Sequence, residues 1–339
     1  MEIADVWPGR LLSTSRGRVF VRRFDGQVDD GGIDLDRPAR APVLFVHGLG
    51  GESLDWLDVA VQLKDSFDCS AVDLPGFAHS PLPPGKDLSL DGLAGTVAEV
   101  ARTLGGPVHL VGVSLGGAIA VRVAAEHPEL VASLTLVAPA LPDLRLKPGS
   151  GQLLIALLPA VGPAIVRTII NADPEWMAKR IYALCYGHPR AVSPQRHARE
   201  LATLRQRASL DYSPYVYREA LRTTVMSYLD RGPRRLWQQA ALVGVPTLVI
   251  SGGRDRLVSH RVAARAKRTF PDVEVLRLPE AGHVAHLEDP TTVATAMRAF
   301  LSRPDRPDRP DLIRGMSRPR GTVVDVGPTT PPPVVSPRG

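Results

Sequence analysis

The sequence predicts an α/β protein in which helices cover both faces of a mostly parallel, twisted sheet. Short apolar runs typical of buried strands alternate with longer helix-like segments along much of the 339 residues. Polar motifs, many with glycine, follow directly after these runs, where ligands bind in parallel sheets. The apolar runs cover residues 43–46, 69–72, 108–111, 134–137, 247–250 and 273–278.

The order of these segments predicts one core interrupted by one insertion. Residues 10–24 contain two short β-like runs with a turn at Arg16-Gly17, so the run at 134–137 is the sixth core strand. After it the alternation stops, and a helix-like stretch rich in Pro, Arg and Tyr follows. We therefore predict an α/β core over 1–140 and 238–302, with a helical cap over 141–237.

The first part of the predicted cap, residues 151–170, is almost entirely apolar. A membrane-spanning helix needs about 20 such residues. Pro159, Pro163 and Arg167 interrupt this stretch, and its flanks belong to the predicted core. These features favour a pair of cap helices that face an apolar pocket, with contact to a membrane surface as the less favoured alternative.

The segment 303–339 contains Arg-Pro-Asp repeats followed by a Thr/Pro/Val stretch, and its proline density predicts disorder. Residues 302–339 hold seven arginines and four aspartates, which is half of the net charge of +6. The remaining charge is spread thinly over the rest of the chain. We therefore expect no nucleic-acid partner.

Composition also limits the cofactors and the compartment. Cys69 and Cys185 have no metal-binding spacing, so we expect two reduced thiols and neither a metal nor an organic cofactor. The first ten residues include two acids and no apolar core, unlike a secretory signal. A cytoplasmic location is the default expectation. Nothing in the sequence indicates an oligomeric state.

The most informative motif is Gly112-Val113-Ser114-Leu115-Gly116. It stands between the strand-like run 108–111 and a helix-like run of small residues at 117–125. Such a G-x-S-x-G motif forms a tight, strained strand-to-helix turn, in which glycine avoids collisions with the neighbouring backbone. The motif predicts that the Ser114 hydroxyl stands at the edge of the sheet, within reach of a base.

A serine hydroxyl is a weak nucleophile at neutral pH, so it needs a base, and that base needs an orienting acid. Asp255 follows the run 247–250 through a Gly-Gly turn, and His283 follows the run 273–278 in Ala281-Gly282-His283. Both therefore lie just past strands of the predicted sheet. We favour Asp255 as the acid and His283 as the base.

Each assignment has an alternative. Asp255 could only cap the helix that follows it. Asp272 and Asp289 are the other candidate acids, although both stand in positions typical of helix or turn capping. His286 competes with His283, but the residues after it look like the start of the last helix.

Acyl chemistry at a serine also needs N–H donors for the oxyanion that develops. One candidate is the backbone N–H of Leu115, the residue after the serine. The second is the N–H of Leu49, in the loop His47-Gly48-Leu49-Gly50-Gly51 that follows the run 43–46. The alternative for this loop is an ordinary glycine-rich turn. We expect His47 to brace the loop rather than to act as a base.

These motifs, taken in order, resemble those of the α/β-hydrolase superfamily, in its cap-bearing branch with a serine nucleophile. The resemblance covers about residues 19–301. It implies the α/β-hydrolase fold and the chain order Ser, Asp, His for the triad, which Ser114, Asp255 and His283 follow. The motifs are the His47-Gly48 loop, the 73–80 loop, the Ser114 turn, Gly253-x-Asp255, and Gly282-His283 with Glu288-x-Pro290.

Within the superfamily, single positions favour or disfavour particular relatives. Haloalkane dehalogenases and epoxide hydrolases use a carboxylate where this chain has Ser114. Carbon–carbon bond hydrolases resemble it at 114–117 but usually carry an aromatic residue at the position of Val284. Perhydrolases often carry an aromatic residue at the position of Leu49. In the 73–80 loop, the family usually has glycine at the position of Ala78.

The function expected from the sequence is a serine hydrolase that cleaves small carboxylic esters with apolar acyl groups through an acyl-enzyme. The apolar segment 151–170 is the reason for the apolar acyl group. The alternatives are an acyltransferase or a carbon–carbon bond hydrolase with the same triad, and a non-catalytic ligand-binding protein on this fold.

Overall fold

The computed structural model describes residues 7–24, 40–143, 147–303 and 322–325. Within these residues the strands form a single sheet in the order β1-β2-β4-β3-β5-β6-β7-β8-β9. The strands are β1 (Gly9–Thr14), β2 (Gly17–Arg23), β3 (Pro42–Val46), β4 (Asp68–Val72), β5 (Val108–Val113), β6 (Val131–Val137), β7 (Thr247–Gly252), β8 (Val273–Leu278) and β9 (Thr322–Asp325).

The sheet is parallel from β4 to β9 and antiparallel at its other edge, where β1 pairs with β2 and β2 pairs with β4. The chain runs from β3 outward to β4 and then returns past β3 to β5. This reversal opens a crevice between the carboxyl ends of β3 and β5, which is where ligands bind in open α/β sheets.

Helices pack on both faces of the sheet, as the sequence predicts. Alternate strand residues supply the two cores: Leu44 and Val46 belong to one apolar cluster, while Val43 and Phe45 belong to the other. This division follows the two-residue repeat of a strand. The helices outside the insertion are α1 (Leu57–Leu63), α2 (Leu90–Thr103), α3 (Leu115–Glu126), α9 (Leu236–Leu242), α10 (His260–Thr269), α11 (Ala285–Glu288) and α12 (Pro290–Leu301).

Five α-helices of the described chain lie between β6 and α9, and these inserted helices occupy the place where the sequence predicts a cap. Proline stands in the first turn of each of them, a position that tolerates its missing N–H. The helices are α4 (Pro148–Leu154), α5 (Gly162–Ile170), α6 (Pro174–Cys185), α7 (Pro194–Ser209) and α8 (Ser213–Met226). Among the described residues, none of the helices combines the length and apolar character needed to cross a membrane.

Thr322–Asp325 lie within the segment 303–339, for which the sequence predicts disorder. These four residues form β9, which pairs in parallel with the edge strand β8. The run Thr-Val-Val is β-branched and free of proline, and β8 offers an unpaired backbone edge. The rest of the segment, 304–321 and 326–339, lies outside the described residues.

Candidate active site

Ser114 occupies the sharp turn between β5 and α3. Its backbone has φ 53° and ψ −116°, a conformation that L-residues rarely adopt. A Cβ atom at Gly112 would lie 2.3 Å from the Gly116 carbonyl oxygen, and one at Gly116 would lie 2.4 Å from the Val46 carbonyl oxygen. The two glycines therefore permit the close approach that the turn requires, and Ser114 is held at the carboxyl end of β5.

His283 and Asp255 meet at the same edge of the sheet. Nδ1 of His283 lies 3.0 Å from Oδ2 of Asp255, and both side chains are buried. The other carboxylate oxygen of Asp255 accepts the backbone N–H groups of Leu257 and Val258, at 2.7 and 2.9 Å. Burial alone would raise the pKa of Asp255, but His283 and these two donors outweigh burial and hold this pKa below its usual value.

The alternative acids lie elsewhere. Asp289 accepts the backbone N–H of Thr292 at 3.0 Å and so caps α12. Asp272 immediately precedes β8, at the opposite end of that strand from His283. Asp255 accepts backbone N–H groups in its own loop as well, but it is the carboxylate that reaches His283.

Cys185 and Glu288 hold the loop that carries His283 in place, a role that the sequence analysis did not predict for either residue. The backbone N–H of His283 donates to the carbonyl of Cys185, at the end of α6, over 2.7 Å. Glu288 accepts the backbone N–H of Gly282 with one oxygen and that of Gly187 with the other, both at 2.7 Å. The Glu288-x-Pro290 motif was therefore the one feature of the sequence that could have pointed to these hydrogen bonds of Glu288.

The glycine-rich loop after β3 lies against the Ser114 turn. A Cβ atom at Gly48 would lie 3.3 Å from the Ser114 Cβ. His47 braces this loop: its Nδ1 lies 2.7 Å from the Gly48 carbonyl oxygen, while its Nε2 accepts the N–H of Leu74 at 2.9 Å. Complete burial lowers the pKa of His47. The His47 ring is therefore neutral, and both of its nitrogens are hydrogen-bonded to backbone groups.

Leu49 lies in that loop, and Leu115 is the first residue of α3. N–H groups in the first turn of a helix have no partner within the helix, and the positive end of the helix dipole favours negative charge there. Leu49, Leu115 and Ser114 line one cavity. This corner of the site suits an anion that develops on a substrate bound at the serine.

The loop 73–80 supports the site from outside this cavity. Asp73 is fully buried and accepts the backbone N–H of Ser53 at 2.6 Å. It also accepts the backbone N–H of His79 at 3.1 Å and lies 3.0 Å from the Nδ1 of that ring. Asp73 thus ties two loops together, and neither Asp73 nor His79 lines the cavity.

The cavity has a volume of about 400 Å³, and both Ser114 and His283 line it. The inserted helices supply much of its wall, so the insertion lies over the serine. Most of this wall is aliphatic. Its apolar part includes Leu153, Leu154, Leu184, Leu221, Val225 and Leu229.

One part of the cavity wall is polar, and sequence reasoning missed it. We call it the polar wall; it consists of Asp55, Tyr186, Arg196, Glu200 and His286. Arg196 donates to Asp55 at 2.8 Å and to Glu200 at 3.1 Å. The i,i+4 spacing of Arg196 and Glu200 on α7 was a signal for their ion pair, but nothing in the sequence pointed to its burial beside the serine.

His286, the alternative base, belongs to this polar wall. Its ring packs on that of Trp56, with the ring centres 4.4 Å apart. Burial lowers the pKa of His286 to about 3, so the ring is neutral. No carboxylate orients His286 as Asp255 orients His283: among the described residues neither ring nitrogen of His286 has a hydrogen-bond partner. These residues also contain no cluster of His, Cys, Asp or Glu suited to a metal ion.

A mostly parallel α/β sheet, with a serine at a strained strand-to-helix turn and a histidine–aspartate pair at the same edge, defines the α/β hydrolase class. Comparison with known proteins agrees: residues 41–290 match the alpha/beta hydrolase fold family. The chain belongs to this family and is an α/β hydrolase enzyme.

Among similar sequences is a pimeloyl-[acyl-carrier protein] methyl ester esterase of Methylococcus capsulatus, 30% identical over 80% of this chain and 99% of the relative. The dihydrolipoyllysine-residue acetyltransferase component of an acetoin cleaving system from Pseudomonas putida is also 30% identical, over 80% of this chain. The matched region spans only 66% of that relative. A crystal structure of a membrane phospholipase A superposes with a TM-score of 0.69 and 23% identity, over 87% of this chain and 86% of that one.

Proposed function

We propose that this protein hydrolyses carboxylic esters with apolar acyl groups, through an acyl-enzyme on Ser114. The observation that carries the proposal is the convergence of Ser114 with the His283–Asp255 pair on one largely aliphatic cavity. The esterase relative supports the reaction type. The aliphatic part of the wall supports the apolar acyl group, because burial of a hydrocarbon chain stabilises it by roughly 0.8 kcal/mol per CH₂.

In this mechanism Ser114 Oγ attacks the acyl carbon while Nε2 of His283 takes the hydroxyl proton. Asp255 accepts the Nδ1–H of His283, which fixes the tautomer and stabilises the imidazolium that forms. The low pKa of Asp255 keeps it ionised for this role. The carbonyl oxygen becomes an oxyanion, and the backbone N–H groups of Leu49 and Leu115 stabilise it.

Collapse of this intermediate breaks the bond between the acyl carbon and the alcohol oxygen. The imidazolium of His283 gives its proton to the departing alcohol, and the acyl group stays on Ser114. Water then attacks the acyl-enzyme, with His283 again as the base, and the acid product leaves as Ser114 regains its proton.

A p-nitrophenyl ester series from acetate to palmitate tests this proposal. We expect Ser114→Ala to lower kcat by about 10⁴–10⁶-fold on every ester. We expect medium-chain esters to exceed acetate in kcat/KM. Ser209→Ala, on the exposed end of α7, is the matched control and should behave as wild type. Retained activity in Ser114→Ala would exclude the nucleophile, and a clear preference for acetate would exclude the apolar acyl site.

Acyl transfer is the second candidate. It is favoured by the similarity to a chain described as an acetyltransferase component. The same acyl-enzyme would pass its acyl group to an alcohol, amine or thiol instead of water. Product analysis with added acceptors distinguishes the two reactions. A new ester, amide or thioester that dominates over free acid would assign transfer rather than hydrolysis.

A further inference from the structure

Two segments of the inserted region expose large apolar side chains. One segment joins α4 to α5, and the other begins at the last residue of α8. The described residues contain nine large apolar side chains that are exposed, and five of them lie in these two segments. Their exposed fractions range from 47% to 65%. We call these five the apolar rim; they are Ile155, Leu158, Val161, Met226 and Leu229.

The two segments lie side by side. Ala156 and Leu221 belong to one buried apolar cluster, and Leu157 and Val225 pack against it. The inward sides of both segments are therefore used for packing within the protein. Their outward sides carry the apolar rim, and an exposed apolar patch of this kind is typical of a site of interaction.

The apolar rim lies at the opening of the cavity of the candidate active site. Leu229 is 65% exposed, more than any other residue that lines this cavity, so the cavity reaches the protein surface beside it. Leu154, which precedes Ile155, and Val225, which precedes Met226, also line the cavity. The rim and the aliphatic part of the cavity wall therefore lie on the same two segments.

The charges beside the apolar rim are positive. Residues 147–172 contain neither Asp nor Glu. Arg167 is exposed on α5, and Arg231 is exposed two residues after the second segment ends. Among the described residues, neither guanidinium group forms an ion pair. The carboxylate of Asp230 does not neutralise Arg231, because it pairs with the buried Arg122 at 2.9 Å.

An apolar surface with cations at its edge matches a lipid surface that carries anionic headgroups. The apolar side chains enter the boundary of the acyl chains, while the guanidinium groups meet the headgroups. A second copy of this chain is the other possible occupant. It would bring two cationic patches together and cover the cavity opening at Leu229. Both charge and position therefore favour the lipid surface.

We propose that the apolar rim docks on a lipid surface with anionic headgroups, and that an ester with an apolar acyl group enters the cavity from this surface beside Leu229. The docking does not depend on the reaction that the protein catalyses. The entry of an ester rests on the proposed ester hydrolysis and adds the place from which the substrate is taken.

Sedimentation with lipid vesicles tests the docking. The full chain with Ser114→Ala is used, so that hydrolysis does not change the lipids. One set of vesicles contains equal parts of phosphatidylcholine and phosphatidylglycerol, and the other contains phosphatidylcholine alone. We expect a partition coefficient about 10-fold or more higher for the anionic vesicles, and it should fall as salt is added. Absence of binding to both sets would overturn the proposal, and equal binding would overturn the choice of anionic headgroups.

Leu158→Asp/Val161→Asp, added to the same protein, tests the apolar rim. Neither residue lines the cavity. We expect the partition coefficient on anionic vesicles to fall by about 10-fold or more, because the two side chains no longer enter the apolar boundary. Leu11→Asp/Leu242→Asp is the matched control, since these side chains are 44% and 68% exposed on β1 and α9. Unchanged binding of the rim variant, or an equal loss in the control, would contradict docking through the rim.

Arg167→Gln/Arg231→Gln tests the two cations. We expect it to reduce the preference for anionic over neutral vesicles by about 10-fold. Arg10→Gln/Arg18→Gln removes the same charge from exposed positions on β1 and β2 and should keep the preference of the parent protein. A preference that survives in the first variant would overturn the role of Arg167 and Arg231.

Activity measurements with Ser114 intact test the entry of the substrate. We expect Leu158→Asp/Val161→Asp to hydrolyse an apolar ester embedded in anionic vesicles about 10-fold more slowly than wild type. Its kcat/KM for dissolved p-nitrophenyl butyrate should equal that of wild type. An equal rate on the embedded ester would refute entry from the lipid surface. If wild type hydrolyses neither ester, the proposed function fails, while docking is still decided by the vesicle measurement.

Sedimentation velocity and circular dichroism complete the test. Circular dichroism verifies that each variant folds, and the wild-type comparison of the two vesicle sets does not depend on any rim variant. A wild-type dimer that Leu158→Asp/Val161→Asp converts to a monomer, together with no binding to vesicles, would assign the rim to a second copy of this chain. That result would replace the proposal.

Discussion

The carbonyl of Cys185 accepts the backbone N–H of His283 over 2.7 Å. This bond joins the end of α6, in the inserted helices, to the loop that carries the proposed base. The position of His283 therefore depends on the inserted helices as well as on the sheet. Glu288 reinforces the same junction, because its two oxygens accept N–H groups from Gly282 and Gly187.

Removal of the Glu288 carboxylate tests this junction. We expect Glu288→Ala to lower kcat about 10-fold while KM for a short ester changes little, because His283 loses its fixed position. Loss of the acceptor for two backbone N–H groups should reduce the free energy of unfolding by about 2 kcal/mol. Glu280→Ala is the control, since Glu280 is half-exposed and its ion pairs contribute little. An unchanged kcat in Glu288→Ala would contradict the junction's role in catalysis.

Asp255→Asn tests the orienting acid. The amide oxygen still accepts the N–H groups of Leu257 and Val258, so we expect a Tm near that of wild type. The wrong imidazole tautomer should lower kcat by about 10³–10⁴-fold at neutral pH. Asp272→Asn, at the alternative acid, should leave kcat unchanged. A large loss of activity in Asp272→Asn instead would reverse the assignment.

The raised pKa of Glu52 should make the free energy of unfolding depend on pH. Burial, together with the charges of Asp55 and Asp73, raises the pKa of Glu52 from 4.5 to about 7. Between these values the folded state binds more protons at Glu52 than the unfolded state, so the stability of wild type falls as pH rises through this window. Glu52→Gln should therefore gain stability relative to wild type, by about 3 kcal/mol above pH 7 and little near pH 4.

Urea unfolding of wild type and Glu52→Gln at pH 4.5, 6 and 8 measures this difference. The glutamine can still accept the hydroxyl of Thr203, so other contacts change little. A difference in the free energy of unfolding that does not grow with pH would show that Glu52 titrates normally.

Ala78 has a left-handed backbone with φ 45°, at the position where the family usually has glycine. This conformation costs an L-residue about 1–2 kcal/mol, and glycine avoids that cost. Glycine also makes the unfolded chain more flexible, which lowers the free energy of unfolding by about 0.4–1 kcal/mol and offsets part of the gain. We expect Ala78→Gly to raise the free energy of unfolding by up to about 1 kcal/mol. Ala299→Gly, on the exposed face of α12, should lower it by about 1 kcal/mol. Destabilisation by Ala78→Gly would mean that packing of the Ala78 methyl group outweighs the strain.

Much of the α/β part of the fold was predictable, because short stretches of sequence determine its strands and turns. Continuous apolar runs identify buried parallel strands, and the run at Val273–Leu278 matches β8 in both bounds. The G-x-S-x-G motif likewise predicts the turn at Ser114, because the steric need for glycine is local. Asp255 and His283 were also expected to act together, because each follows a strand-like run and they continue the chain order Ser, Asp, His. In the structure the two strands lie side by side.

The polar wall was not predictable, because its members come from distant parts of the chain. Asp55 and Arg196 are 141 positions apart, and each looks like an ordinary surface residue in sequence. Only the fold of the inserted helices over the sheet buries them. Strand β9 was missed for a related reason: four β-branched and acidic residues within a proline-rich segment become a strand only because β8 has a free edge.

The order of elements along the chain has an evolutionary consequence. Ser114 precedes the inserted helices, while Asp255 and His283 follow them, so the proposed chemistry is encoded outside the insertion. Lineages can therefore acquire new specificities by diversifying this segment while the reaction is inherited intact. The returning loop uses only the backbone carbonyl of residue 185, which every residue type supplies.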